Sequence, residues 1–287
     1  MGIDAGGTFM IGGDRPVHRM GFGAMQLPGP AVWGEAKDPQ NPGRVLGRAR
    51  ELGIDLIDTA EAYGPEVNER QIRSALSPFP QDLLIATKCG LFRSWPKGAD
   101  YPDMRPNGAP AELRKSTEGS LKRLGVERID LQQLHRVDPA VPIEDSVGEL
   151  ARLRSEGKIR HIGLSEVGIE EIERARAVVP IATVQNKYNV ADRAYEPVLA
   201  HCEKHGIGFM PWFPMGGGRV RSNAVVTRIA ARHGALPAQV ALAWLLKRSK
   251  NVLLIPGTAS VSHLEENVAA ADLELSVEDM RDLESAE

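Results

Sequence analysis

The feature that most constrains this chain is an alternation. Short apolar runs suited to buried strands sit at Met20–Ala24, Ile54–Asp58, Leu83–Lys88, Ile129–His135, Arg160–Ser165, Ile181–Asn186, Ile207–Trp212 and Val252–Pro256. Segments with helical spacing lie between them. Ile143, Val147, Leu150 and Ala151 share one helical face, as do Ile169, Ile172, Arg176 (by its stem) and Val179. Several helices stop at a glycine just before the next strand, at Leu52-Gly53, Leu124-Gly125, Glu156-Gly157 and His205-Gly206. That pattern suits a left-handed cap feeding a short connection. Eight strands alternating with helices, with no Ser/Pro-rich linker, predict an α/β chain whose residues 1–287 form a single (β/α)8 TIM barrel domain. Ahead of it, Thr8–Ile11, the turn Gly12-Gly13-Asp14 and Pro16–Arg19 predict a hairpin.

The rival architecture is a doubly wound open sheet, which needs a glycine-rich phosphate loop after its first strand. Here that strand ends Gly21-Phe22-Gly23-Ala24-Met25-Gln26, without the third glycine, and Pro28-Gly29-Pro30 stands where a helix should start. Composition narrows the function classes. With a formal net charge of -3, the chain offers no electrostatic case for nucleic acid or a membrane surface. Two cysteines, Cys89 and Cys202, cannot make a disulfide framework, and the first residues lack the features of a secretory signal. No run approaches the ~20 apolar residues of a membrane span. The expected setting is the cytoplasm, with a monomer as the default state.

At the ends of six of the strand-like runs stand Asp58, Lys88, His135, Ser165, Gln185 (one residue before its run stops) and Trp212, with Tyr63 a few residues beyond Asp58. Each alone has a plain explanation, as a helix cap, a solvated ammonium or a satisfied core histidine. In a barrel they meet at one rim, and a carboxylate, an ammonium, an imidazole and a phenol around one mouth form a proton-transfer set. An ammonium near a tyrosine is expected to lower its pKa. The carboxylate holds the ammonium, and the imidazole donates to the same carbonyl oxygen that the phenol protonates. No Ser or Cys nucleophile sits beside a base, so proton donation implies a hydride source, a nicotinamide cofactor. A metal site built on His135 and Asp138, or a Schiff-base role for Lys88, is a minor rival, and no metal ligands are assigned. Three long segments, Leu27–Pro42, Leu91–Pro110 and Phe213–Arg221, follow strands and open on the same rim. Trp33 and Trp95 on them suit a cover over a small organic ligand, or simply pack the rim.

At these residues the chain resembles the aldo-keto reductases over nearly its whole length. The matching motifs are Gly21-Phe22-Gly23, Asp58-Thr59-Ala60-Glu61-Ala62-Tyr63-Gly64, Ala86-Thr87-Lys88, Gln133-Leu134-His135, Gly163-Leu164-Ser165, Val184-Gln185-Asn186, and Ile255-Pro256-Gly257-Thr258 followed by Leu264-Glu265-Glu266-Asn267. The resemblance implies a hairpin that closes the barrel bottom and a tetrad of Asp58, Tyr63, Lys88 and His135, with Tyr63 as general acid. It also implies reduction of a small aldehyde or ketone with NADPH, NADH being the alternative. Cofactor contacts implied in the same way are Gly23, Ala24, Met25, Asp58, Ser165 and Gln185, then Trp212, Phe213, Met215, Gly216 and Arg219, and finally Gly257, Thr258, Ser260, His263, Glu266 and Asn267. Two positions depart from the family. Glu166 stands where an asparagine is usual, and as an acceptor only it is expected to bind the carboxamide less well or to turn outward. His263 stands where many members have arginine. Met25–Pro30 and Val184–Asn189 look most like a bacterial branch that includes pyridoxal reductases. A non-catalytic, cofactor-sensing regulator, as potassium-channel β-subunits are in this superfamily, is the alternative function.

Overall fold

The computed structural model describes residues 2–286. The hairpin forms where the sequence places it, from β1 (Thr8–Ile11) and β2 (Arg15–His18), paired antiparallel. The chain then runs β3 (Phe22–Gly23), α1 (Asn41–Glu51), β4 (Leu56–Asp58), α2 (Val67–Leu76) and β5 (Leu84–Cys89). An antiparallel pair, β6 (Leu91–Ser94) and β7 (Asp103–Pro106), interrupts the next connection before α3 (Pro110–Leu124). After it come β8 (Ile129–Leu134), α4 (Ile143–Ser155), β9 (Ile159–Ser165), α5 (Ile169–Arg176), β10 (Thr183–Gln185), α6 (Glu196–His205) and β11 (Gly208–Phe209). The last helices are α7 (Gly218–Ser222), α8 (Ala224–His233), α9 (Pro237–Arg248), α10 (Val261–Ala269) and α11 (Val277–Glu284).

Strands β3, β4, β5, β8, β9, β10 and β11 pair in parallel in that order. The eighth stave, predicted at Val252–Pro256, consists of single bridges: Val252 to Phe209, Leu254 to Met20 and Gly257 to Gly23. It thus joins the seventh strand to the first and closes the ring. The seam is tight, because a Cβ on Gly23 would lie 2.5 Å from the Ile255 carbonyl oxygen. The four glycines expected to end helices all have positive φ: Gly53 at 87°, Gly125 at 71°, Gly157 at 79° and Gly206 at 65°.

Two apolar layers result. Inside the barrel, Leu56, Leu84, Ala86, Leu131, Ala182, Met210, Leu253 and Ile255 pack together, and Ile11 and Val17 of the hairpin join them. The hairpin therefore plugs the end of the barrel where the strands begin. A larger cluster lies between sheet and helices, with Val45, Val147, Leu150, Val240 and Trp244 among its members. Three expectations need correction. Ile169 is 39% exposed and Val179 lies beyond the end of α5, so the buried face of that helix is Ile172 and Ala175. The segment after β5 is no open loop but carries the β6–β7 pair, and Phe213–Arg221 includes the start of α7.

The plug is seated by one turn. Asp14 accepts from His161 Nε2 at 2.7 Å and from Arg160 at 3.1 Å, tying the hairpin tip to the start of β9. Gly12 has φ of 61°, and a Cβ there would lie 2.1 Å from the His161 ring. Gly13 has φ of 82° and nothing within 4 Å of its Cβ position. Gly12→Ala is therefore expected to destabilise the protein by roughly 2–4 kcal/mol, from left-handed strain plus the imidazole clash. Gly13→Ala should cost only about 1 kcal/mol, from backbone strain alone. Urea unfolding of both variants checks this, and equal losses would contradict the seating role of His161.

Candidate functional site

Register places the chemistry. Asp58 pairs across to Ala86 and to Gly23, Lys88 to Gln133, Gln133 to Gly163, and Ser165 to Gln185. Side chains alternate along a strand, so Asp58, Lys88 and Gln133 lie two residues beyond the inward-facing Leu56, Ala86 and Leu131, and point inward with them. The interior apolar layer thus ends, at the side where the strands finish, in a polar one.

That layer is dry. Lys88, Asp58, His135 and Tyr63 expose only 1%, 2%, 7% and 8% of their surface. Lys88 Nζ donates to Asp58 Oδ2 at 2.6 Å, to the Thr59 carbonyl oxygen at 2.9 Å and to Tyr63 Oη at 3.2 Å. All three ammonium hydrogens are committed, which argues against the Schiff-base role. Because Tyr63 accepts from Lys88, its own O–H proton stays free for another acceptor. Asp58 Oδ1 receives the side-chain amides of Gln185 at 2.9 Å and Gln133 at 3.1 Å. The Tyr63 and His135 rings stand edge to face, with centroids 5.9 Å apart.

Burial works against the Lys88 charge, but the Asp58 carboxylate, helped by the hydrogen bond to Tyr63, outweighs it and holds the ammonium above its ordinary 10.5. For Tyr63 the balance runs opposite to the sequence expectation. Burial pushes the phenol up, Lys88 pulls it down, and burial wins, leaving it above 10.0. The phenol is thus a stored proton, not an incipient phenolate. His135 is driven well below 6.5 by burial first and then by Lys88, Arg136 and Arg93, so the imidazole is neutral. Among the described residues its Nδ1 has no hydrogen-bond partner, nor does Gln133 Oε1. Asp138, offered as a metal ligand with His135, instead accepts from the backbone N–H groups of Gly108 and Ala140 at 3.0 and 2.9 Å.

The residues expected around a cofactor fall along the same rim. Ser165 Oγ accepts from Arg136 at 3.2 Å, and Arg136 also holds the His135 carbonyl oxygen at 2.7 Å. Glu166 does not turn outward. It takes a left-handed φ of 57°, and its Oε1 accepts from Trp212 Nε1 at 2.5 Å and from Lys187 N at 3.0 Å. The carboxylate fixes the plane of a half-buried indole. Beyond Trp212, exposed Phe213 has its carbonyl oxygen held by Asn189 Nδ2 at 3.1 Å. Met215 packs on the core, Gly216 has φ of 56°, and Arg219 is exposed on α7. Ala24 is buried and Met25 is 46% exposed, beside the Gly23–Gly257 seam. Thr258 Oγ1 accepts from Ser260 N at 3.0 Å, and Ser260 caps α10 by accepting from His263 N. His263 is exposed, Glu266 half-buried and Asn267 buried on that helix.

On the opposite flank, Trp33 and Trp95 meet edge to face at 5.4 Å. Arg93, which the sequence reading passed over, holds the Trp33 side of this pair. Its guanidinium lies 5.9 Å from the Trp33 ring centroid and donates to the carbonyl oxygens of Val32, Ala62 and Ala31. Gln133 and Arg136 were also missed as single residues. Counting by twos from Leu131 would have turned Gln133 inward; nothing in the sequence ties Arg136 to Ser165.

With this geometry in view, comparison with known proteins is direct. Residues 19–287 match the model of the Aldo/keto reductase family. The chain is similar to a pyridoxine 4-dehydrogenase of Escherichia coli, 42% identical over 277 residues, covering 94% of this chain and 95% of that one. In structure it is similar to a glycerol dehydrogenase of Gluconobacter oxydans, with a TM-score of 0.87 and 28% identity, over 97% of this chain and 94% of that one. It is also similar to an aldo/keto reductase of Klebsiella pneumoniae solved in complex with NADP and acetate, with a TM-score of 0.79 and 26% identity, over 96% and 93% of the two chains. A family model spanning nearly the whole chain, on a closed barrel with this mouth, places the protein in the aldo/keto reductase family of oxidoreductases.

Proposed function

We propose that the protein reduces small aldehydes or ketones to alcohols with NADPH, and that Tyr63 gives the proton. One observation carries the reading: Lys88, buried and charged, is bonded at once to Asp58 and to Tyr63. The residues present fit a nicotinamide cofactor. The partnerless His135 Nδ1 and Gln133 Oε1 leave buried polar capacity beside the tetrad, and Trp212 offers an oriented indole face at the rim. Ser165, Gln185 and Trp212 would hold the nicotinamide end. Gly216, Arg219, Ser260, His263 and Asn267 would hold the phosphates and adenosine, aided by the N-terminal turn of α10. Bound there, the cofactor supplies hydride to the carbonyl carbon.

The protein's own groups do the rest. Neutral His135 orients the carbonyl by hydrogen bonding without delivering a charge. Tyr63 Oη passes its proton to the oxygen as negative charge grows there, and the adjacent Lys88 ammonium stabilises the phenolate left behind. Asp58 keeps that ammonium charged and in place. Trp33, Trp95 and Arg93 flank the mouth and favour a compact substrate. Pyridoxal is the first to try, given the similarity to pyridoxine 4-dehydrogenase.

The test is steady consumption of NADPH with a panel of aldehydes that includes pyridoxal. Tyr63→Phe should lower turnover by roughly 10²–10⁴-fold, the usual worth of a general acid, while NADPH still quenches tryptophan fluorescence. Wild-type-like turnover in that variant would refute the role of Tyr63, and binding without consumption by the wild type would favour a sensor. Glu166→Ala, which frees the indole, should weaken NADPH binding about tenfold, as loss of a charge-assisted bond does, with a smaller change in kcat. An unchanged Kd would remove Glu166 from the site.

A further inference from the structure

Outside the barrel mouth, one cluster of metal-capable side chains has no part in the chemistry above. His201 and His205 are one helical turn apart on α6, and Glu173 faces them from α5. The ligand atoms of the three lie within 4.8 Å of one another. His201 Nε2 is 2.9 Å from Glu173 Oε1, and the two imidazole rings stand 4.5 Å apart, tilted by 49°. His205 directly precedes Gly206 and the start of β11, so the cluster sits toward the plugged end of the barrel, away from Tyr63 and Lys88.

We propose that Glu173, His201 and His205 form a divalent-cation site for zinc that clips α5 to α6, with water completing the coordination. Two imidazoles at i and i+4 with a carboxylate from a neighbouring helix are ligands that borderline cations favour over calcium or magnesium. Tetrahedral zinc with bonds near 2.0–2.1 Å needs ligand atoms about 3.3 Å apart. The cluster must therefore draw in by about an ångström or more, which rotation of side chains that are not buried can supply. Cys202, next in the helix, is buried with its thiol pushed up to about 12 by burial, and takes no part. The competitor is Arg176, whose guanidinium pairs with Glu173 Oε1 while Oε2 has no partner among the described residues. That guanidinium sets a positive charge beside the site, which opposes metal entry.

The experiment is calorimetric titration of zinc chloride into tag-free, chelator-treated protein, with thermal melts alongside. The wild type should take up one equivalent, and saturating zinc should raise Tm by roughly 5 °C through selective binding to the folded state. His205→Ala should weaken binding at least about tenfold and remove the Tm shift. Arg176→Ala should tighten binding, a result that general surface adsorption does not give. Both variants should keep the wild-type turnover of the carbonyl assay, so failure here is separable from failure of the reductase reading. No uptake by the wild type, or equal uptake by His205→Ala, would overturn the site.

Discussion

The structure turns on one ion pair taken out of water. Lys88 and Asp58 meet at 2.6 Å inside the barrel, with side chains that are 0% and 4% exposed. An isolated charge at such a depth would cost several kcal/mol, and removing one partner of a buried pair typically costs about 3–5 kcal/mol. The pair is tolerable because almost every polar valence around it is filled. Thr59 and Tyr63 take the remaining ammonium hydrogens, and Gln133 and Gln185 fill the second carboxylate oxygen. Such a network holds only if four chain segments arrive in register, and the closed ring of strands supplies that register.

Closure and chemistry are therefore one problem. The barrel is shut by a stave that touches its neighbours at single bridges, and it is filled from one end by Ile11 and Val17. With one end sealed by apolar side chains, the polar layer can face solvent only at the other. There the surrounding chain is pinned by contacts that cross between loops. Arg93 holds three carbonyl oxygens of the preceding connections, and Glu166 holds Trp212. The departure from the family at Glu166 thus gains a physical account. A carboxylate cannot donate to an amide, but it can accept from an indole N–H, and here it accepts from Trp212 Nε1.

Much of this was legible in the sequence, because strand ends and helix stops are local. The apolar runs, the capping glycines and the six strand-end residues needed only periodicity and turn chemistry. Less legible was anything set by side-chain partners distant in the chain. The bond by which Gln185 donates to Asp58 spans 127 residues of chain, and no motif announces it. Arg136 and Ser165 lie 29 residues apart and share no motif. The β6–β7 pair hid because Leu91–Ser94 and Asp103–Pro106 are short and contain no buried residue, without the apolar alternation that marks a strand. The sign of the Tyr63 shift was out of reach for a different reason. Sequence shows that an ammonium is near; it does not show how completely water is excluded, and here exclusion is the larger effect.

That balance can be measured directly. Nuclear magnetic resonance of protein carbon-labelled at the tyrosine ζ position, assigned by comparison with Tyr63→Phe, follows the ionisation of this one phenol. The Tyr63 signal should keep its protonated position at neutral pH and reach its midpoint only above 10.0, where an ordinary tyrosine is already half ionised. A midpoint clearly below that value would mean that Lys88 outweighs burial and that the resting site holds a phenolate, which contradicts a buried phenol storing its proton.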